Sequence, residues 1–208
     1  MFDGCHFGQE FVVLLFRSDK KNLYWTYEES EKILYYEESL RGLSKKYVFQ
    51  SFTIDGRKGV IQLLENLFPD IPIQLCQFHQ VKTIIKYTTK RPKTECGKDL
   101  KRLALTLKSS SKGEFKEKFK ALQEKYHVFL KERNENGEFK HRSLRAAFRS
   151  LKTNFSYLFT CQDFPHLEIP NTTNSCDGYF SHLKKLVRVH QGITFQRKIQ
   201  MINHVLAS

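Results

Sequence analysis

The 208-residue chain has no long apolar run, no cysteine framework, no internal repeat and no low-complexity tract. Each absence removes a class of protein. The longest early apolar stretch, Phe11 to Phe16, lies between Glu10 and Arg17, and so short a run cannot span a bilayer. No membrane partner is expected. Five cysteines, an odd number without regular spacing, exclude a disulfide-stapled scaffold and point to a reducing compartment. The opening Met-Phe-Asp carries no signal-peptide pattern. A cytoplasmic protein is expected, nucleoid-associated if its source is prokaryotic. What is present excludes disorder: 40% hydrophobic residues and 18 Phe are enough to bury a core. The length suits one ordinary domain or one domain with an insertion.

Charge is unevenly placed. Of 35 Lys+Arg and 22 Asp+Glu, residues 1–78 hold 9 and 11, and residues 79–208 hold 26 and 11. A near-neutral first part joined to a strongly basic second part predicts a polyanionic partner, most simply nucleic acid.

Turn residues and periodicity order the elements. Met1–Phe7, Phe11–Arg17 and Leu23–Tyr27 read as strands joined at hairpin length through Gly8-Gln9-Glu10 and Ser18-Asp19-Lys20-Lys21-Asn22. They predict an antiparallel meander. Ser30 is positioned to cap a helix from Glu31 to about Lys45, with Ile33, Leu34, Leu40 and Leu43 inward. A strand from Val48 to Ile54 stops at Asp55-Gly56. A helix follows with Val60, Leu63, Leu64 and Leu67 on one face, then a strand from Ile71 to Phe78. After His79 the pattern is almost purely helical. Five segments are marked by Val81–Tyr87, Leu100–Leu107, Phe115–Phe129, Leu144–Phe155 and Ser175–Val187, and a last helix runs from about Phe195 to Leu206. Residues 160–173, with Pro165 and Pro170, read as a loop.

Three carboxylates stand where this order can bring them together. Asp3 lies in the first strand, Asp55 ends the fourth and Asp177 opens a helix. If strands one and four are neighbours and the helix packs across them, the three could hold two divalent cations for phosphoryl transfer. Hard Mg²⁺ or Mn²⁺ prefers such oxygen ligands. Asp55 before Gly56 also reads simply as a turn residue. Cys76-x-x-His79 has the spacing of half a structural zinc site, with Cys96, Cys161, Cys176 or a distant His as possible further ligands. The alternative is that both residues pack at a strand-to-helix junction. No second spaced pair accompanies them, so zinc is not expected there.

Basic residues recur on helix faces. Lys82, Lys86 and Lys90 form one stripe, Arg142, Arg145 and Arg149 with Lys152 a second, and Lys184, Lys185 and Arg188 follow Asp177. They are candidate phosphate contacts, or solvated faces. Thr172, Thr173 and Asn174 read as capping residues for the helix of Asp177.

Asp3-Gly4-x-x-Phe7-Gly8, Asp55-Gly56-x-x-Gly59, Leu67-Phe68-Pro69, Cys76-x-x-His79 and Asn171-Thr172-Thr173-Asn174-x-x-Asp177-Gly178 occur in one order. In these segments the chain resembles the Mutator-like transposases of insertion sequences, over nearly its whole length. The resemblance implies an α/β fold: a ribonuclease-H-like mixed sheet with an all-helical insertion before the third acid. Residues 1–79 would form the core, 80–160 the insertion, and 161–208 the helices completing the core. It implies metal-dependent cleavage and strand transfer at mobile-element ends, with Asp3, Asp55 and Asp177 as catalytic metal ligands for two Mg²⁺ or Mn²⁺ ions. Element ends and target DNA would be the partners, and a homo-oligomer the active complex. The family usually has Glu at the third acid. Asp177 is one methylene shorter, which costs about 1.5 Å of reach. The family also has a DNA-binding region before the first strand, which is expected to be missing here. A non-catalytic, transposase-derived domain that binds DNA or a partner protein is the alternative.

Overall fold

The computed structural model describes residues 1–18, 21–190 and 192–207. It is a mixed α/β structure with small sheets. Two compact units divide the chain: Met1–Ile73 with Thr172–Ser208, and Gln74–Asn171.

In the first unit, β1 (Phe2–Phe7), β2 (Phe11–Arg17) and β3 (Asn22–Glu28) form the expected antiparallel meander, in the order β1-β2-β3. Asp3 pairs with Leu15, and Val13 lies between Cys5 and Tyr27. Gly8 turns the first hairpin at a φ of 61°, a conformation costly for a side chain with a Cβ. Asp19 and Lys20 of the second hairpin lie outside the described residues.

Every residue of β2 is buried, because both faces of the sheet are covered. On one face Cys5, Phe7, Val13 and Leu15 join Cys176, Phe180 and Leu183 of α8 (Asn174–Val189) and Ile202 and Leu206 of α9 (Phe195–Ala207). Trp25 Nε1 and the Tyr27 hydroxyl both donate to Asn203 Oδ1 at 2.7 Å, tying β3 to α9. On the other face Phe2 stacks on Phe16 at 5.0 Å and meets Phe52 and Tyr36.

Tyr36 belongs to α1 (Ile33–Ser44), which buries Tyr36, Ser39, Leu40 and Leu43. Leu34, expected inward, is 56% exposed. It sits two residues, about 200° of helix, from Tyr36 and so faces away. The N-cap is Lys32, not Ser30. β4 (Phe52–Ile54) is shorter than expected, and Val48 is exposed before it. α2 (Lys58–Leu67) follows. β4 pairs with β5 (Ile73–Leu75) in a second sheet, with Phe52 N–H donating to the Pro72 carbonyl at 2.9 Å.

The second unit is helical. α3 (Gln77–Thr88), α4 (Glu95–Leu105), α5 (Lys112–Lys125) and α6 (Arg142–Leu158) fall where the apolar periodicity places them. Thr94 caps α4 through Gly97 N–H, and Ser111 with Glu114 forms a capping box on α5, satisfying amides that a helix start leaves without partners. Ile84, Leu100, Leu107, Phe115, Leu151 and Phe159 are fully buried. Leu105 is exposed because the buried face of α4 runs through Leu100, Leu103 and Ala104. The expected loop contains a one-turn helix, α7 (Thr160–Asp163), and a 3₁₀ turn at Pro165–Leu167. Side-chain amides lock β5 and α3 to α6. Gln74 and Gln77 Nε2 donate to the Leu158 carbonyl at 3.0 and 2.8 Å, and Asn154 donates to Gln80 Oε1 at 2.8 Å. No helix among the described residues is long and apolar enough to cross a membrane.

Candidate metal centre

Strand alternation sets Asp3 on the α8 side of the sheet, in line with Cys5 and Phe7. Thr173 occupies the N-cap position of α8, and its carbonyl accepts from Cys176 and Asp177 N–H at 2.9 and 3.1 Å. Asp177 therefore stands in the first turn, where the exposed amides and the helix dipole favour a carboxylate. Cys176, Phe180 and Leu183 anchor that helix on the sheet, and the two carboxylates meet. Asp3 and Asp177 each offer an oxygen within 4.8 Å of the other. They come from positions 174 residues apart in sequence.

Their hydrogen bonding is uneven. Asp3 Oδ1 accepts the N–H of Gly4 at 2.8 Å. Asp177 Oδ2 is buried and has no hydrogen-bond partner among the described residues. A buried carboxylate oxygen left without a donor is costly. Two such groups at this distance repel unless a cation or proton stands between them. The donor set is oxygen, and the neighbouring thiols are not thiolates. Burial pushes Cys5 up to about 11, with Asp3 and Asp177 adding to the shift and Lys184 opposing it. Burial likewise pushes Cys176 up to about 12. Hard divalent cations such as Mg²⁺ or Mn²⁺ fit this pair.

Asp55 behaves differently. It follows β4, is exposed, and accepts the Arg57 N–H through Oδ1 at 3.1 Å, while Gly56 takes a φ of 94°. This is the turn role that Asp-Gly also suggested. Among the described residues, no group of three ligand atoms within 4.8 Å contains Asp55. It lies close enough to Tyr36, as does Asp3, for both charges to help raise that phenol, after burial and the Glu31 hydrogen bond.

Glu31 is the residue that sequence reasoning missed. Its side chain is 11% exposed and accepts from the Tyr36 hydroxyl at 2.6 Å and from His6 Nε2 at 2.9 Å. Arg57 pairs with it at 2.7 Å and also donates to its carbonyl. Burial alone would raise the Glu31 carboxyl. Donation from Tyr36 and His6 and the charge of Arg57 outweigh that and hold it below its usual range. Gly4 makes room for it, since a Cβ there would come within 2.9 Å of Glu31 Cδ. Glu31 thus binds the Asp55 turn, through Arg57, to the strand that carries Asp3. In sequence it stood only as the first residue of a helix. The Asp-Gly pair at Asp3 was the available signal that something must approach β1 closely.

In the second unit, Cys76 is a buried cysteine outside any disulfide at the N-cap of α3, and half-buried His79 lies in its first turn. Lys82 and Lys86 are exposed on α3, Lys90 just beyond it, and Lys82 covers the Phe78 ring at 4.2 Å. Arg142, Arg145 and Arg149 share α6, but two are engaged. Arg142 pairs with Glu138, and Arg145 stacks on Phe139 at 3.5 Å while donating to the Leu130 carbonyl. In the first unit Lys184, Lys185 and Arg188 are exposed on α8. No protein-family model and no curated protein matches this chain.

Proposed function

We propose that the first unit is the catalytic core of a Mutator-like DNA transposase with a ribonuclease-H-like fold, cleaving and joining phosphodiesters with Mg²⁺ or Mn²⁺. The observation that carries this reading is the Asp3–Asp177 pair. Two acids from opposite ends of the sequence lie within 4.8 Å, and one oxygen is buried without a donor.

Asp3 and Asp177 would hold the cation, with Asp55 a further carboxylate at the edge of the site. The chemistry that bound divalent ions supply is activation of the attacking water or 3′-hydroxyl and stabilisation of the leaving oxygen. Asp177 stands in the first turn of α8, and the apolar contacts of Phe180 and Leu183 fix its position against β1. Glu31 and Arg57 hold the Asp55 turn. Exposed Lys184, Lys185 and Arg188 follow Asp177 along α8 and supply positive charge for the DNA backbone.

One observation favours a second reading, a transposase-derived domain that binds DNA without cutting it. Asp55 is exposed and occupied as a turn acceptor. Nicking of labelled duplex DNA separates the two. The catalytic reading expects cleavage that requires Mg²⁺ or Mn²⁺ and is abolished by Asp177→Asn and by Asp55→Asn. DNA binding without metal-dependent nicking would establish the second reading.

A further inference from the structure

An open cavity of about 440 Å³ lies in the first unit at the end of β1, away from the acid pair. Its walls carry His6, Phe7, Lys184, Val187, Arg188 and Lys198. Two elements supply the positive charge: α8 gives Lys184 and Arg188 and α9 gives Lys198, while the His6 imidazole is engaged with Glu31. The turn at Gly8 opens onto it, and a Cβ on Gly8 would meet nothing within 4 Å. Glu10 is the one acidic residue of the lining, and both its oxygens are taken by Lys198, at 2.9 and 2.7 Å. Lys184 and Arg188 make no ion pair among the described residues. Their charge faces a cavity that has no acid left to answer it.

We propose that this cavity is a phosphate subsite for a nucleic-acid strand, with Lys184 and Arg188 contacting a backbone phosphate and Phe7 and Val187 the sugar beside it. Position argues for a strand. Lys184 follows Asp177 by two helical turns, about 10 Å along α8, and Cys5 follows Asp3 by one strand repeat, about 7 Å along β1. Phe7, further along β1, and Lys184 both line the cavity, so the two paths converge there. Along one nucleic-acid strand, about 10 Å corresponds to roughly one to two phosphodiester steps, since the backbone winds around its axis. A phosphodiester at the acids would therefore place a neighbour in the cavity. The location rests on the catalytic reading, but the binding site does not require catalysis.

The experiment measures equilibrium binding of a labelled oligonucleotide duplex in EDTA, across a salt titration. Lys184→Met and Arg188→Met are compared with Lys46→Met, an exposed lysine just past α1 in the same unit and outside the cavity. Each cavity variant is expected to weaken binding about tenfold and to lower the salt slope by about one, while Lys46→Met stays within about twofold. Equal losses at Lys184 and Lys46 would reduce the cavity to general surface charge and overturn the proposal. Pyrophosphate binding that depends on Lys184, with DNA affinity untouched by Lys184→Met, would assign the cavity to a small phosphate compound and overturn it equally. Nicking with Mg²⁺ on the same proteins reports the catalytic reading separately. Loss of nicking in wild type, with Lys184-dependent binding intact, would remove the catalysis and leave the subsite.

Discussion

The first unit holds 14 Lys+Arg against 12 Asp+Glu, and the second 21 against 10. The near-balanced unit contains the three-stranded sheet and the carboxylate pair, and the strongly basic unit is helical. Composition alone would assign function to the basic unit. On the proposed reading the labour divides differently. A polyanion is attracted by surplus charge spread over long faces, whereas phosphoryl-transfer chemistry needs a few acids held to within tenths of an ångström. The two demands favour different architectures, exposed helices for one and a sheet clamped between layers for the other.

The comparison breaks most sharply at the two cores. Phe115→Ala in the second unit and Phe180→Ala in the first should each cost about 3–5 kcal/mol, because both rings are buried and leave cavities. Trp25, the only tryptophan, belongs to the first unit. Its fluorescence should follow Phe180→Ala, while circular dichroism in urea should register both. Coincident shifts in both signals for both variants would erase the distinction between the units.

Next in size is the acid pair. Asp177→Asn should lower Mg²⁺-dependent nicking by about a hundredfold or more, and Asp177→Glu should raise it above wild type by restoring reach. Mn²⁺, with looser geometric demands, should help the native Asp more than the Glu variant. Equal rates for Asp, Glu and Asn would show that position 177 is no metal ligand.

In the basic unit, reversing Lys82, Lys86 and Lys90 to Glu should weaken duplex binding about ten- to a hundredfold and flatten the salt dependence by about three. Affinity that survives all three changes would make this stripe a solvated face.

The smallest effect concerns Glu31. Glu31→Gln should cost about 1–3 kcal/mol by losing charged hydrogen bonds. The carboxyl is held below its usual range in the folded state. Its contribution is therefore full above the unfolded value near 4.5 and is lost as pH falls through the lowered folded one. Wild type should lose stability across that acid window, and Glu31→Gln should show a flatter limb. Parallel pH profiles would remove Glu31 as the clamp.

Local signals carried much of this architecture. Gly8 and the spacing of the hairpins marked the meander, and steps of three and four marked α5 and α6. Asp177 was legible because the residues before it read as a helix start. The misses share a cause. Leu34 is apolar, but its angle on α1 turns it to solvent, and apolar content alone does not report angle. Val48 has strand propensity but is exposed, and β4 begins only at Phe52. Glu31 gained its role from His6, Tyr36 and Arg57, which no local window places together. Asp55 carried two readings from the start, and its contact to Arg57 N–H realises the turn without bringing it into the acid group.

The order of synthesis gives the discontinuous unit a particular vulnerability. Its sheet is complete by Glu28, yet the helices that cover Cys5, Phe7, Val13 and Leu15 begin only at Asn174. Between the two segments the ribosome must make all of Gln74–Asn171, about 5 to 20 seconds of elongation. During that interval an apolar sheet face stands bare, while the second unit, continuous in sequence, can mature as it emerges. A nascent chain stalled before residue 174 should therefore be captured by chaperones or aggregate through that face. The acid pair is born last, when the late-made helix closes over the first strand.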